Sequence, residues 1–367
     1  MKPPVLLLGA SARAAAQSAA RAGFAVCAAD LFADRDLREA AIEARGVENY
    51  PEDLEAVAAK FPVCPWSYTG ALENWPDLVE RLAKRRPLWG VSAQTLRQVR
   101  DPAQWTAALA AAGLPHLEVA FSTKPSQGDW IAKPLRSAGG GWSKPGKEIS
   151  ADFFQRRARG VDCGAVFVAA AGESHLLGVT RQLIGCDWAG AEGLVYVGSI
   201  GPLPLSGPIA ENWRRIGETL VERFALQGLF GVDAVVDSTA VWPVEINPRY
   251  TASVEILERG LGVSAFALHA AACRGEAVEY RPPKTRTPHG KAIVYAGEEV
   301  VITPGWRDWV ETLNAGARWP VIADLPETGQ TFPPGSPIAT VFAWGEDVER
   351  RLRERIGRRV KRGNNRR

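Results

Sequence analysis

The sequence has little of what a disulfide scaffold or a thiolate metal protein needs. Its 5 cysteines fall at Cys27, Cys64, Cys163, Cys186 and Cys273. The number is odd and no CxxC pair occurs, which excludes both classes and makes a reducing cytoplasm the expected compartment. Histidine is also sparse: His116, His175, His269 and His289 form no HExxH. No run approaches the roughly 18 apolar residues of a membrane span. The apolar stretch Val5–Leu8 is short for a secretory core, and Arg13 breaks the segment after it. Charge of one sign is missing too. Lys+Arg 44 against Asp+Glu 41 leaves +3, which argues against nucleic-acid binding by the whole molecule. The exception is Gly345 to Arg367, where 10 basic residues face 4 acidic ones and read as a solvated terminus. No period of about 20–50 residues repeats, so solenoids are set aside.

What is present is an ordinary globular balance, 46% hydrophobic and 23% charged over 367 residues. That length predicts two or three domains. Val5–Leu8 reads as a buried parallel strand ended by Gly9, with a helix over Ala12–Ala22 and a second strand over Ala25–Ala29 ending at Asp30. Further helices are expected at Pro51–Lys60, Trp75–Lys84 and Pro102–Ala112. Trp130–Lys133 reads as a short strand before a glycine-rich loop. Gly164–Ala171 and Leu176–Leu183 read as a hairpin, as do Leu229–Val236 and Val241–Ile246. RPPKTRTPHG at 281–290 reads as a connection to a last, small β-rich region.

Three constellations carry chemistry. The first is IAKPLRSAGGGW, in which Lys133 and Arg136 flank Gly139, Gly140 and Gly141. Glycine lets backbone N–H groups approach phosphate oxygens, and a fixed cation neutralises their charge. The second is GVDAVV followed by VEINPR. Glu245 and Asn247 are two apart on a strand and so share a face, with Asp233 on the preceding strand. Such hard oxygen donors suit Mg²⁺ held with nucleotide phosphates, and Arg249 comes directly after them. The third is Gly9-Ala-Ser11-Ala-Arg13 with Asp30. It stands where a dinucleotide fingerprint would stand but keeps one of its glycines, and it gives the rival reading of an NAD(P)-dependent oxidoreductase.

The first two constellations together resemble the ATP-grasp superfamily. VRDPAQWTAALAAAGLPHLEV is similar to the segment that opens that fold, WIAKPLRSAGGGW to its phosphate-covering loop, and GVDAVV with VEINPR to its metal-binding end. GKAIVYA, VIADLPETG and IATVFAWG resemble the C-terminal region of the biotin-carboxylase-like, predicted carboligase branch. The fold class this implies is α/β and α+β: a pre-ATP-grasp open α/β sheet over 1–95, an ATP-grasp domain over 96–285, a small β-rich region over 286–345, and a basic, partly disordered tail over 346–367. The sequence departs from the family at two places. Arg100 stands where a second nucleotide-binding lysine is usual. The hinge Phe154–Gly160 carries arginines where acids are usual.

The resemblance implies ATP with Mg²⁺, or Mn²⁺ in its place, as cofactors. It implies Lys133, Arg136, Gly139, Gly140, Gly141, Gln155 and Ala158 around the nucleotide, the last two through their backbone. Asp233, Glu245 and Asn247 would hold the metal, and Arg249 with Lys133 would be catalytic. Ser11, Arg13, Tyr250 and Ser253 would meet the substrate. The activity implied is a cytoplasmic ligase, with a homodimer allowed, that activates a small carboxylate as an acyl phosphate and joins it to an amine. One-carbon, tetrahydromethanopterin-linked metabolism is the setting the branch points to, and bicarbonate is a further acid it allows. A nucleotide sensor without turnover is the third reading.

Overall fold

A computed structural model describes residues 2–140, 143, 151–283 and 286–361. The N-terminal unit is a four-stranded parallel sheet of β1 (Pro4–Leu8), β2 (Ala25–Asp30), β3 (Glu43–Gly46) and β4 (Trp66–Tyr68), in the order β3-β2-β1-β4. Its central strand β1 is a continuous apolar run because both faces are covered; Val5, Leu6, Leu7 and Leu8 are wholly buried, whereas the edge strand β3 is polar and partly exposed. The order reverses between β1 and β4. A crevice therefore opens at their carboxyl ends, where Ser11 and Thr69 lie.

A small antiparallel sheet comes next, made of β5 (Val119–Phe121), β6 (Trp130–Lys133) and β7 (Phe153–Arg156), in the order β5-β7-β6. The glycine loop leaves the end of β6. Beneath it runs the main sheet. Its first strands are β8 (Val161–Ala170), β9 (Glu173–Ile184), β10 (Tyr196–Gly201), β11 (Gly228–Val236) and β12 (Val241–Asn247). Ala171 and Gly172 both take positive φ between β8 and β9, the two-residue turn that matches the twist of paired strands. The β11–β12 turn is closed by Asp237, whose carboxylate accepts from the backbone N–H groups of Thr239 and Ala240.

The region after residue 288 supplies β13 (His289–Tyr295), β14 (Val300–Val301), β15 (Ile322–Ala323), β16 (Thr331–Phe332) and β17 (Pro337–Trp344). The small β-rich region expected here joins the main sheet. β13, β17 and β15 extend the main sheet into eight strands, in the order β12-β11-β8-β9-β10-β13-β17-β15, and β14 with β16 forms a side ribbon. Near-continuous burial along β13 and β17 gives them two covered faces, which a free-standing small sheet could not supply. Val348–Lys361 is helical, with a break at Gly357, and buries Val348, Leu352 and Ile356 against the same core as β13 and β17. Among the described residues, no single helix is long and apolar enough to cross a membrane.

Candidate active site

A cleft of about 1040 Å³ lies between the three sheets. Its floor is one face of the main sheet, and the strand register places the polar side chains across that floor. Asp233 on β11 pairs with Glu245 on β12 and with Gly164 on β8; Ser199 on β10 pairs with Gln182 on β9 and with Lys291 on β13. A bulge on β12 matters here. Ala234 pairs with Pro243 and Asp233 with Glu245, so Val244 is left over. Its carbonyl accepts from Lys133 Nζ at 3.0 Å. Pro243 is tolerated because β12 is an edge strand.

The expected metal donors converge. Asn247 Nδ2 donates to Asp233 Oδ2 at 2.9 Å, and Asn247 Oδ1 accepts from Arg249 at 3.0 Å. Gln182, which no sequence motif marks, donates to Asp233 Oδ1 at 2.6 Å. Burial, then the neighbouring Glu245 carboxylate, pushes Asp233 up to about 7. Burial also works against the Glu245 charge, but Arg100 and Lys133 outweigh it and hold that carboxyl below its usual range. Gly164 makes room for this group. A Cβ there would lie 2.9 Å from Gln182 Nε2, 3.1 Å from Asp233 Oδ1 and 3.3 Å from Ser253 Oγ.

The basic groups surround these acids. Lys133 Nζ also donates to Gln155 Oε1 at 3.1 Å. Gln155 thus contributes a buried side chain, where the sequence pattern implied a backbone role. Arg100 donates to Glu245 at 2.7 Å, to Asn74 Oδ1 at 2.9 Å and to Leu135 O at 2.6 Å. Arg249 donates to Glu73 at 2.7 Å. Glu73 and Asn74, on a short turn after β4, carry no motif that marks them in the sequence.

Gly139 and Gly140 line the cleft; Gly141 lies outside the described residues. Gly140 has φ +70°, and a Cβ there would meet Leu194 O at 2.0 Å, so glycine is required for the loop to lie on the sheet. Ala158 lines the cleft as well. Arg136 does not. Its guanidinium lies over the Trp75 ring, 4.8 Å from the centroid, because an aromatic face on the N-terminal unit competes for it.

Ser11, Arg13, Tyr250 and Ser253 all line the other part of the cleft. Arg13 is 2% exposed and fully engaged, by Glu255 and by Asp324 at 2.8 and 3.1 Å. These carboxylates hold Arg13 in the cleft wall, where the resemblance implied a residue that meets the substrate. Ser253 makes no capping bond to the helix it precedes; its hydroxyl meets Ser199 Oγ at 3.1 Å. Tyr250 is buried and its hydroxyl reaches Ala14 O at 3.4 Å. Asp30, the acid of the dinucleotide reading, is spent locally. It accepts from the N–H groups of Ala12, Phe32 and Ala33 at 2.8, 3.0 and 2.7 Å, and is wholly buried.

Against this geometry, residues 103–253 match the family model of the ATP-grasp domain. The chain carries an ATP-grasp domain. The formate-dependent phosphoribosylglycinamide formyltransferase of Burkholderia cenocepacia (strain HI2424) is 33% identical over 125 residues, 34% of this chain and 30% of that protein. The matched part is thus under a third of that relative's length. The biotin carboxylase domain of Hydrogenobacter thermophilus 2-oxoglutarate carboxylase, solved with MgADP and bicarbonate, shares the fold with a TM-score of 0.69 at 14% identity, over 93% of this chain and 86% of that one. N5-carboxyaminoimidazole synthetase from Staphylococcus aureus shares it with a TM-score of 0.67 at 14% identity, over 97% of each chain.

ATP and Mg²⁺ are the cofactors of ATP-grasp enzymes, and the donor set here fits them. Among the described residues, no group of three His, Cys, Asp or Glu side chains gathers at metal-binding spacing. The ATP-grasp site instead offers two carboxylates and an amide oxygen, hard donors suited to a cation shared with phosphates. Its volume sits at the top of the roughly 300–1,000 Å³ range of ligand pockets, which leaves space for a second substrate beside a nucleotide.

Proposed function

We propose that the chain is an ATP-dependent carboxylate–amine ligase. The observation that carries this is the convergence of Lys133, Asp233, Glu245, Asn247 and Arg249 on one cleft whose far wall comes from other parts of the chain. When bound, MgATP supplies the phosphoryl group that turns a carboxylate oxygen into a good leaving group. Asp233, Glu245 and Asn247 would hold the metal, and Lys133 with the loop at Gly139 and Gly140 would meet the phosphates. Arg249 stabilises charge on the transferred group as the carboxylate oxygen attacks and ADP leaves. The amine nitrogen then attacks the acyl carbon, loses a proton and expels phosphate. Catalysis of this kind is positioning and electrostatic stabilisation. Small-molecule acids and amines are the partners, in a one-carbon cofactor setting to which the C-terminal motifs point.

Thermal melting with MgATP, ATP plus EDTA, and NAD(P) tests it. A ligand at about 100 times its dissociation constant stabilises by roughly 2.7 kcal/mol. A Mg²⁺-dependent shift with ATP, lost in Glu245→Ala, is the expected result. A shift with NAD(P) alone refutes the ligase reading.

A further inference from the structure

Lys291 lies on β13, at the end of the cleft away from the metal donors; β8, β9 and β10 separate its strand from β11 in the sheet. It is 4% exposed, yet it lines the cleft. An ammonium has three N–H donors. Among the described residues Lys291 uses one, to Glu255 Oε2 at 3.2 Å.

That single acceptor is shared. Glu255 also takes Arg13 on both oxygens and Arg259 at 3.3 Å. Arg13 has Asp324 as a second counter-ion, and Arg259 lies 3.5 Å from the centre of the Phe342 ring and donates to Pro320 O at 3.0 Å. Both oxygens of Asp324 are taken by Arg13. Lys291 therefore shares its one hydrogen-bonded carboxylate with two arginines, while the other acid that acts on it, Asp324, turns both oxygens to Arg13. Burying charge with so little compensation is costly unless a bound group offsets it. Hydroxyl donors stand beside it. Ser199 is its direct partner across the β10–β13 ladder, and Ser199 Oγ meets Ser253 Oγ at 3.1 Å and the Tyr196 hydroxyl at 2.7 Å. Tyr196 and Ser253 line the cleft with Lys291.

We propose that Lys291, with Ser253 and Tyr196, forms a subsite for a carboxylate other than the one activated beside Arg249. The assignment rests on the ligase reading and narrows its substrates. One of the two carries a spare carboxylate: the acid donor is a dicarboxylate, or the amine acceptor is an amino acid. The recognition chemistry is the same for both.

The test is melting of the full chain with MgADP and paired probes. The donor arm sets succinate, adipate and suberate against butyrate, hexanoate and octanoate. The acceptor arm sets glycine and β-alanine against methylamine and ethylamine. At least one probe with the spare carboxylate raises the midpoint, and its single-charge partner does not. The arm that responds identifies the source. Lys291→Met weakens that probe about tenfold or more, the scale of a lost hydrogen bond between charged groups. Lys291→Arg folds with the charge retained and keeps part of the response. Equal responses within a pair, no response in either arm, or an unchanged response in Lys291→Met overturns the subsite. A wild type that does not respond to MgATP itself refutes the ligase reading instead.

Discussion

Arg249 Nε donates to Glu73 Oε1 at 2.7 Å, joining residues 176 apart in the chain. Glu73 is 1% exposed and comes from the N-terminal unit, so the Arg249 guanidinium is aimed by an element outside the matched ATP-grasp segment. Glu73→Gln keeps the shape and removes the charge. Turnover should fall by roughly 10²-fold, the scale of losing one aligned electrostatic group, with MgATP affinity little changed. Steady-state ADP release beside equilibrium nucleotide binding measures both, and an unaltered kcat would remove Glu73 from this role.

Gly164→Ala probes the floor. The new methyl would crowd the Gln182 amide, which holds Asp233. Because a side-chain end can give way, the fold should lose about 1 kcal/mol or less, while the Mg²⁺ concentration needed for half-maximal ADP release rises. Equal Mg²⁺ dependence in variant and wild type would show that Gln182 does not position the carboxylate.

Lys133→Ala removes the ammonium that links β6, β7 and the bulge on β12. ATP affinity should drop about tenfold or more, as expected for a lost charge-assisted contact. Calorimetric titration with ATP and Mg²⁺ checks it; undiminished affinity would take Lys133 out of the phosphate site.

His269 predicts a pH dependence of the fold. Its Nδ1 accepts from Leu229 N–H at 2.9 Å and its Nε2 meets Ser67 Oγ at 3.0 Å, tying the N-terminal sheet to β11. Burial lowers it to about 4. A depressed folded value means the unfolded chain binds the proton first. Stability is therefore full above about pH 6.5 and is lost as pH falls from there toward 4, by about 3 kcal/mol for this group. Urea unfolding at several pH values should show this slope, and His269→Gln should flatten it.

The sequence made legible whatever is local. Period-two spacing put Glu245 and Asn247 on one face and Asp237 marked the turn, but the bulge at Val244, which sets Asp233 opposite Glu245, has no signature in the sequence. The residues it hid reach the cleft through long-range packing. Gln182 and Glu73 have ordinary neighbours in the chain, and only strand pairing and docking of the N-terminal unit bring them in. Lys291 was the exception: a lysine between Gly290 and Ala292 in an apolar strand is a buried-charge signal that needed no fold to see. Arg136, expected at the nucleotide, and Asp30, the acid of the rival dinucleotide reading, share one circumstance. Each has the right chemistry for a ligand, but a partner within the protein, Trp75 or the Ala12 amide, claims it.

The cleft floor is a single hydrogen-bonded sheet, so Asp233, Glu245 and Asn247 on β11 and β12 and the lysine on β13 cannot drift apart without breaking ladders. Opening has to come from the elements outside it: the three-stranded sheet, the glycine loop pinned through Leu135 O to Arg100, and the N-terminal unit. The chamber thus has a fixed length and an adjustable height. Its fixed floor sets the spacing between the two ends of any guest that spans it.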